Sequence, residues 1–343
     1  MEAAVIQEHG GIECVQIGDV PEPETGGTEV LLDVRAAALN HLDIWVRNGA
    51  KTLEIPKPHV LGSDAAGIVL KAGGQVHGFR PGDEVVVNPG MSCGCCEQCR
   101  RGQHSQCESF GLIGLNRSGT FVERVTVPFT TLWPKPADLS FEQAAALPLS
   151  YVTAWRMLMT RARLRPGQTV LIHGIGGGVA LAALQFVVAA GGEAIVTSSS
   201  DAKLAKAQEM GAKYTINYSS ADVAAAVKEI THGRGVDIAF DTAGAATWPL
   251  DFKVVRRGGS IVICGVTTGA RAETNLQALY WNQLNIYGST MGSNEDFRLM
   301  LRTVENTGLV PIVDSVFPLN QARTAMEKME EGGQFGKIVL KMK

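Results

Sequence analysis

Residues 169–183 read TVLIHGIGGGVALAA, and this stretch decides the fold. TVLIH is a compact, β-branched run of strand length. Gly174, Gly176, Gly177 and Gly178 follow it, then Val179 and an Ala-rich helical pattern. Glycines between a strand and a helix let the backbone approach a pyrophosphate, while the start of the helix offers unpaired N–H groups and a partial positive charge. All four glycines and Val179 are expected against the cofactor. With Gly174 and Gly177 as the first two close-approach positions, Ala180 takes the third, which the motif tolerates. Glycines alone would also fit a tight turn. The strand before them, the helix after them and the next strand, EAIVT (193–197), make the stretch a dinucleotide site.

The alternation continues outward. DAKLAKAQEMGA (201–212) reads as a helix, and YTINY (214–218), VDIAFD (236–241), GSIVICG (259–265) and LNIYGST (284–290) read as strands. Nearly continuous apolar strands alternating with helices predict an α/β fold, a doubly wound parallel Rossmann sheet covered on both faces. The first 150 residues differ. Turns such as PEPETGG, PKPH and FRPGDEV separate short strands such as EVLLDV and DEVVV, which predicts an irregular, mostly β domain. A helix (LNQARTAMEKMEEGG, 319–333) and a last strand (KIVLKM, 337–342) close the chain.

The 343 residues suffice for two ordinary domains. A net charge of -3 leaves no electrostatic footprint for nucleic acid or an anionic membrane. The longest apolar stretch (179–190) is too short to span a bilayer, and Glu2 with an early polar break argues against a secretory signal. Five of seven cysteines fall within residues 93–107, CGCCEQCRRGQHSQC, which fits a metal site in the reducing cytoplasm better than a disulfide framework.

An NAD-specific site carries Asp or Glu at the end of its second strand, about 20 residues past the glycines, to bind the ribose 2′-hydroxyl. Here the sequence runs TSSSDAK, with Ser198 at that position. Ser198, Ser199 and Lys203 can accept a 2′-phosphate, which a carboxylate would repel, and Asp201 reads as the N-cap of a helix starting at Ala202. The expected cofactor is NADPH.

These motifs together carry a resemblance. ALNHLDIWVRNG (38–49), HVLGSDAAGIV (59–69), GDEVVV (82–87), the cysteine cluster, LPLSYVTAW (147–155), the glycine loop, INY (216–218) and FGKIVL (335–340) resemble the medium-chain dehydrogenase/reductase superfamily over essentially the whole chain. The resemblance implies a GroES-like catalytic domain, residues 1–150 plus 292–343, with a zinc lobe near 90–110. A Rossmann domain, 151–291, lies between. It also implies a homodimer or homotetramer, with LNIYGST at the edge where relatives pair. The chain looks like a hybrid: the cysteine lobe of zinc alcohol dehydrogenases joined to active-site motifs similar to zinc-independent quinone oxidoreductases.

Cys93, Cys96, Cys99 and Cys107 have the spacing C-x2-C-x2-C-x7-C. Four thiolates close a tetrahedral shell and leave no open position, so such a zinc is structural. A ferredoxin-like cluster is the alternative, but the C-x3-C-P ending is absent. Because Cys95 and Cys96 are adjacent, the choice between them rests on the resemblance. The second, catalytic zinc of the alcohol dehydrogenases would need ligands where this chain has Asn40, Ser63 followed by Asp64, and Leu149; the proton-relaying hydroxyl corresponds to Leu42.

Without a Lewis acid, hydride transfer favours acceptors that are already electrophilic, such as quinones and α,β-unsaturated carbonyls. Asn40 and Asp43 match the NxxD pattern of the quinone-reductase-like group. Asn40 is expected to donate a hydrogen bond to the substrate oxygen, and Asp43 to orient the loop through Arg47 or simply to knit it together. Trp45 and Lys51 stand where relatives place tyrosines that can donate a proton; Tyr151 reads either as a substitute for them or as a core aromatic. The resemblance places His41 and Lys337 against the cofactor pyrophosphate, Thr153 on the nicotinamide and Tyr218 on the 2′-phosphate. An alcohol or aldehyde dehydrogenase with an atypical site, and an NADPH-binding structural protein, remain the competing readings.

Overall fold

Strands Thr169–Ile172 and Val236–Asp241 are buried at every position. Successive strand side chains point to opposite faces, so uniform burial means that both faces are covered. These two strands are the centre of a six-stranded, all-parallel sheet. Its order is Tyr214–Asn217, Glu193–Ser198, Thr169–Ile172, Val236–Asp241, Val255–Ile263, Asn285–Gly288. The chain builds outward from the middle in both directions, so the strand order reverses between Thr169–Ile172 and Val236–Asp241. Ligands of open α/β sheets bind at such a switch point.

The computed structural model describes residues 1–49 and 55–342. Lys51 lies outside them. The chain divides into two compact units, Met1–Ser150 with Gly292–Lys343, and Tyr151–Met291. In the second unit, helix Gly178–Ala189 follows the glycine loop and buries Ala180, Leu181, Ala182, Ala183, Leu184, Phe186 and Val187. Its small residues allow close approach to the sheet, and each large buried side chain stabilises the packing by roughly 1.5–3 kcal/mol. Helix Asp201–Glu209 starts one residue earlier than expected. Its N-cap is Ser200, whose hydroxyl accepts from the Lys203 N–H, and Asp201 is the first helical residue. A serine hydroxyl caps as well as a carboxylate does, which is why the choice between neighbours escapes the sequence.

In the first unit the main sheet runs Leu132–Pro134, Glu84–Val87, Asp64–Ala72, Glu29–Ala38, Lys337–Lys341, Val313–Pro318, with Arg124–Pro128 also paired to Glu29–Ala38. Two registers matter for function. Ala38 pairs with Asp64, and Ala38 also pairs with Val339 of the returning C-terminal strand. Three segments far apart in sequence therefore end at one corner of the sheet. Helix His41–Asn48 begins at that corner, with Asn40 as its N-cap. Among the described residues no helix is long and apolar enough to cross a membrane.

Candidate functional site

The cysteine lobe has the simplest chemistry. The sulfur atoms of Cys93, Cys96, Cys99 and Cys107 all lie within 4.8 Å of one another, and Cys95, exposed, is not among them. Backbone N–H groups point at the sulfurs: Cys96 N donates to Cys93 Sγ (3.4 Å), Cys99 N to Cys96 Sγ (3.5 Å), Cys93 N to Cys107 Sγ (3.4 Å) and Ser109 N to Cys107 Sγ (3.3 Å). Such donors stabilise thiolates. The N–H groups of Cys95 and Cys96 bring the Cys93 thiol down to about 6. Burial pushes Cys99 up to about 11, so a cation at the centre is what would deprotonate it. The donor set fits a structural zinc.

At the corner of the main sheet, Lys337 is buried (4% exposed) and its Nζ donates to Asn40 Oδ1 (2.5 Å) and Asp64 Oδ2 (3.1 Å). Asp64 is wholly buried, and it also accepts from Asn40 Nδ2 (2.9 Å) on Oδ2 and from the Leu149 N–H (2.9 Å) on Oδ1. Two of the slots for a second metal meet through Asp64, and they hold an amide, Asn40, and a leucine, Leu149, that offers only its backbone N–H; Asp64 itself, next to the Ser63 slot, is already paired with an ammonium. Ser63 is buried, with no partner for its hydroxyl among the described residues. Among the described residues no set of three metal-ligating side chains forms there, and a zinc would be repelled by Lys337; the residues present do not fit a catalytic zinc. His59 spends its Nε2 on the Gly114 carbonyl (2.9 Å) and is no substitute.

Several expected roles change here. Asn40 was expected to offer its amide to a substrate oxygen, but Nδ2 also donates to the Ala38 carbonyl (3.4 Å), so both its hydrogens have protein acceptors. Asp43 does not reach the loop through Arg47. Its Oδ2 accepts from the Asn40 N–H (2.7 Å), while Arg47 pairs with Glu330 at 2.6 and 3.1 Å. Burial pushes the Asp43 carboxyl up to about 7, against the Asn40 N–H and the Lys337 charge, and its Oδ1 has no partner among the described residues. His41 has an exposed side chain, yet the protein crowding its ring, and then the Lys337 ammonium, hold its imidazole below the usual value. His41 is therefore an N–H donor at neutral pH rather than a fixed charge. Lys337, expected on a phosphate, has two of its three N–H groups committed within the unit.

In the Rossmann unit the glycine loop is sterically open at two of its glycines. A Cβ at Gly174 or Gly177 would meet nothing within 4 Å, and Gly174 has φ +64, a conformation that favours glycine. Gly177 is the N-cap of the helix with no side-chain cap, so the first N–H groups face outward. Gly178 and Val179, the first two residues of that helix, are half-buried. Gly176 differs from the other glycines in its burial. It was expected against the cofactor, but it is buried, with φ +132, between Ile175 and Gly177, which bridge to each other. Gly176 is needed for the turn: that backbone conformation is open to glycine and strained for a residue with a Cβ. The residues that remain fit a dinucleotide diphosphate. Gly177→Val is expected to leave the melting temperature nearly unchanged while weakening dinucleotide binding at least about tenfold, because the side chain fills the cradle. Titration calorimetry beside thermal unfolding checks this; undiminished affinity would remove the loop from the site.

Around the second strand, Ser198 is buried and its hydroxyl accepts from the Ser200 N–H (3.1 Å), Ser199 is exposed, and Lys203 is half-buried. Ser198 pairs in register with Asn217, which sets Tyr218, 51% exposed, beside the two serines. Asp201 is held by Asn217 Nδ2 (2.7 Å). Thr153 is buried with its hydroxyl on Met291 Sδ (3.8 Å), and Tyr151 is a core aromatic bonded to Gln185 (2.6 Å). Sequence reasoning missed Asp64 as the partner of Lys337. The resemblance had placed it only beside a metal slot, and no local signal links residues 273 positions apart.

The comparisons with known proteins agree with this anatomy. The alcohol dehydrogenase GroES-like domain model matches residues 26–137, and the zinc-binding dehydrogenase model matches 178–306. A zinc-type alcohol dehydrogenase-like protein of Schizosaccharomyces pombe is 35% identical over 331 residues, covering 94% of this chain and 93% of its own. A crotonyl-CoA carboxylase/reductase of Cereibacter sphaeroides is 30% identical over 347 residues, covering 92% of this chain and 81% of its own. A crystal structure of an NAD-dependent alcohol dehydrogenase superposes with a TM-score of 0.95 at 42% identity, covering 99% of each chain. With a Rossmann sheet, a GroES-like unit and whole-length relatives of this kind, the chain belongs to the medium-chain dehydrogenase/reductase superfamily and is an oxidoreductase.

Proposed function

We propose that the chain is an NADPH-dependent reductase that delivers hydride to quinones or α,β-unsaturated carbonyls without a catalytic metal. The observation that carries this reading is the buried Asn40–Asp64–Lys337 cluster, which puts an amide in one second-metal slot and an ammonium-paired carboxylate beside another, an arrangement that does not fit zinc. The bound dinucleotide supplies the hydride. Lys337 keeps its third N–H for an oxygen carrying negative charge, and Asp64 and Asn40 hold the ammonium in place. Asp43, with a carboxyl near 7, holds the backbone of Asn40 and can keep or release a proton at neutral pH.

Support for NADPH comes from Ser198 at the end of the second strand, where an NAD site carries a carboxylate, and from Ser199, Lys203 and the exposed Tyr218 nearby. The NAD-dependent alcohol dehydrogenases among the relatives favour the second reading, an alcohol dehydrogenase with an atypical site.

An acceptor panel decides between them. Benzoquinone-type and enone acceptors should turn over with NADPH, with kcat/KM at least about tenfold above that with NADH, a difference of about 1.4 kcal/mol. Comparable oxidation of simple alcohols with NAD+, together with two zinc ions per chain, would replace this reading with the alcohol dehydrogenase. Tight NADPH binding with no turnover of any acceptor would make the chain an NADPH-binding structural protein.

A further inference from the structure

Beneath the glycine loop lies a cluster of ionisable side chains that the chemistry above leaves unused. His173 directly follows strand Thr169–Ile172 and directly precedes Gly174. It is 3% exposed, and its Nε2 lies 2.7 Å from Asp251 Oδ1. Asp251 belongs to helix Trp248–Val254 and is wholly buried, with no hydrogen-bond partner for Oδ2 among the described residues. Asp241 ends strand Val236–Asp241 and is also wholly buried. Its Oδ1 accepts from the N–H groups of Ala243 (2.7 Å) and Gly244 (3.0 Å), and its Oδ2 from Thr247 Oγ1 (2.8 Å). His173 and Asp241 therefore stand at the ends of the two strands that flank the switch point of the sheet.

The surroundings decide the charge. Burial works against an imidazolium at His173, but the hydrogen bond and charge of Asp251 and the charge of Asp241 outweigh it and raise its pKa. Burial also pushes the Asp251 carboxyl up to about 6. Cys264, after the next strand, faces Asp241; burial and then that charge push its thiol up to about 12, so it stays neutral. Lys253, on the helix of Asp251, is exposed to solvent. Helix Gly178–Ala189, packed on the first strand, carries no ionisable residue. Glu193 on the neighbouring strand pairs with Lys213, and Asp237, at the far end of its strand, pairs with Arg234 and Arg256. One basic group thus faces two carboxylates, and the cluster is net negative when all three are ionised.

A dinucleotide diphosphate is anionic and would sit on the uncapped N–H groups at the start of helix Gly178–Ala189, at the end of the loop that His173 opens; the N–H groups of Gly174 and Ile175 are held by Thr197. A net-negative cluster beneath it opposes binding, and an added proton removes that opposition. Linkage makes the effect reciprocal: whatever proton uptake strengthens binding, binding must favour. We propose that His173 is a proton-linked positioning residue for the dinucleotide, which on binding draws a proton onto the His173–Asp251–Asp241 cluster that supports the loop. This rests on the dinucleotide reading of the glycine loop. The sign follows from the raised values. Affinity is greatest at low pH and falls as pH rises through the window from about 6 to above the ordinary histidine value.

Titration calorimetry of NADH tests the inference, because NADH carries no phosphate monoester that itself titrates near neutrality. Binding to the unmodified protein at pH 7.5 is measured in two buffers of different ionisation heat. The expected result is net uptake of roughly half a proton and an affinity several-fold tighter at pH 6.5 than at 8.5. His173→Asn and Asp251→Asn, which keep hydrogen-bonding shape, should bind with buffer-independent heats. Equal heats in the two buffers for the unmodified protein overturn the proposal, whether or not the variants fold. Uptake that survives His173→Asn belongs to another group, His41 first, and also overturns it. Absence of any binding of NADH or NADPH is a different result, which removes the dinucleotide reading together with the inference.

Discussion

Replacing Cys107 by serine is expected to take the zinc content from one ion per chain to none and to unfold the segment around residues 93–107. Cys107 is buried, and its sulfur accepts N–H groups from Cys93 and Ser109, so its loss opens the shell at its centre. Structural zinc contributes about 10–16 kcal/mol in isolated finger peptides. In a lobe attached to a large sheet, a smaller share reaches global stability, and a fall in melting temperature of at least about 5 °C is expected. Metal analysis of freshly purified protein and limited proteolysis of the lobe check it. Cys95→Ser is the control: Cys95 stands outside the four-sulfur group and its replacement should leave the zinc count at one. A Cys107→Ser protein that keeps its zinc, or an unmodified chain with two, would contradict the site geometry.

Lys337→Met should be the most damaging change to the first unit. Asp64 is wholly buried and Lys337 is its partner at 3.1 Å. Removing one member of a buried pair leaves the other uncompensated, at a cost of about 3–5 kcal/mol. For a unit of this size that corresponds to roughly 6–20 °C in melting temperature. Lys337→Met combined with Asp64→Asn should recover most of the loss, since no buried charge is then left alone. Two neighbours report the missing charge. The His41 imidazole should titrate at higher pH, followed by NMR, because Lys337 helps hold it down. Asp43, already at about 7, should rise further. A carboxyl raised on folding contributes most stability below its unfolded value and loses that contribution as pH rises through its folded value, so the variant should be relatively less impaired at pH 5 than at pH 8. Equal melting temperatures for the Lys337→Met and unmodified proteins would mean that the pair is solvated and that the cluster is no basis for the proposed chemistry.

The Rossmann unit was legible because its signals are local. TVLIH, the glycines and the alanine run are consecutive, and strand 236–241 begins and ends where its apolar run does. Which glycines are exposed was not legible: Gly176 is identical in type to Gly174 and Gly177, and only the backbone path buries it. The strands expected at 259–265 and 284–290 form as Val255–Ile263 and Asn285–Gly288, shifted because pairing to the neighbouring strand sets their ends. The N-cap at Ser200 rather than Asp201 was beyond reach, since both side chains can cap. The site was legible in part. Asn40 and Lys337 are legible as site residues, but the direction of their hydrogen bonds is not; of the two readings of Asp43, the arginine binds Glu330 instead, and the carboxylate knits the loop through the Asn40 N–H.

Spacing along the chain determined the four-sulfur centre, the dinucleotide cradle and the two kinds of unit, because each depends on residues a few positions apart and on the fixed geometry of strand, turn and helix. Only the tertiary structure decided what surrounds the second-metal slots. The register of the last strand on Glu29–Ala38 brings Lys337 to Asn40 and Asp64, residues 297 and 273 positions away. The neighbouring strands of the Rossmann sheet and helix Trp248–Val254 likewise bring His173 to Asp251 and Asp241. Burial then makes those partnerships compulsory, because a charge removed from water must find its counter-charge wherever in the chain it lies.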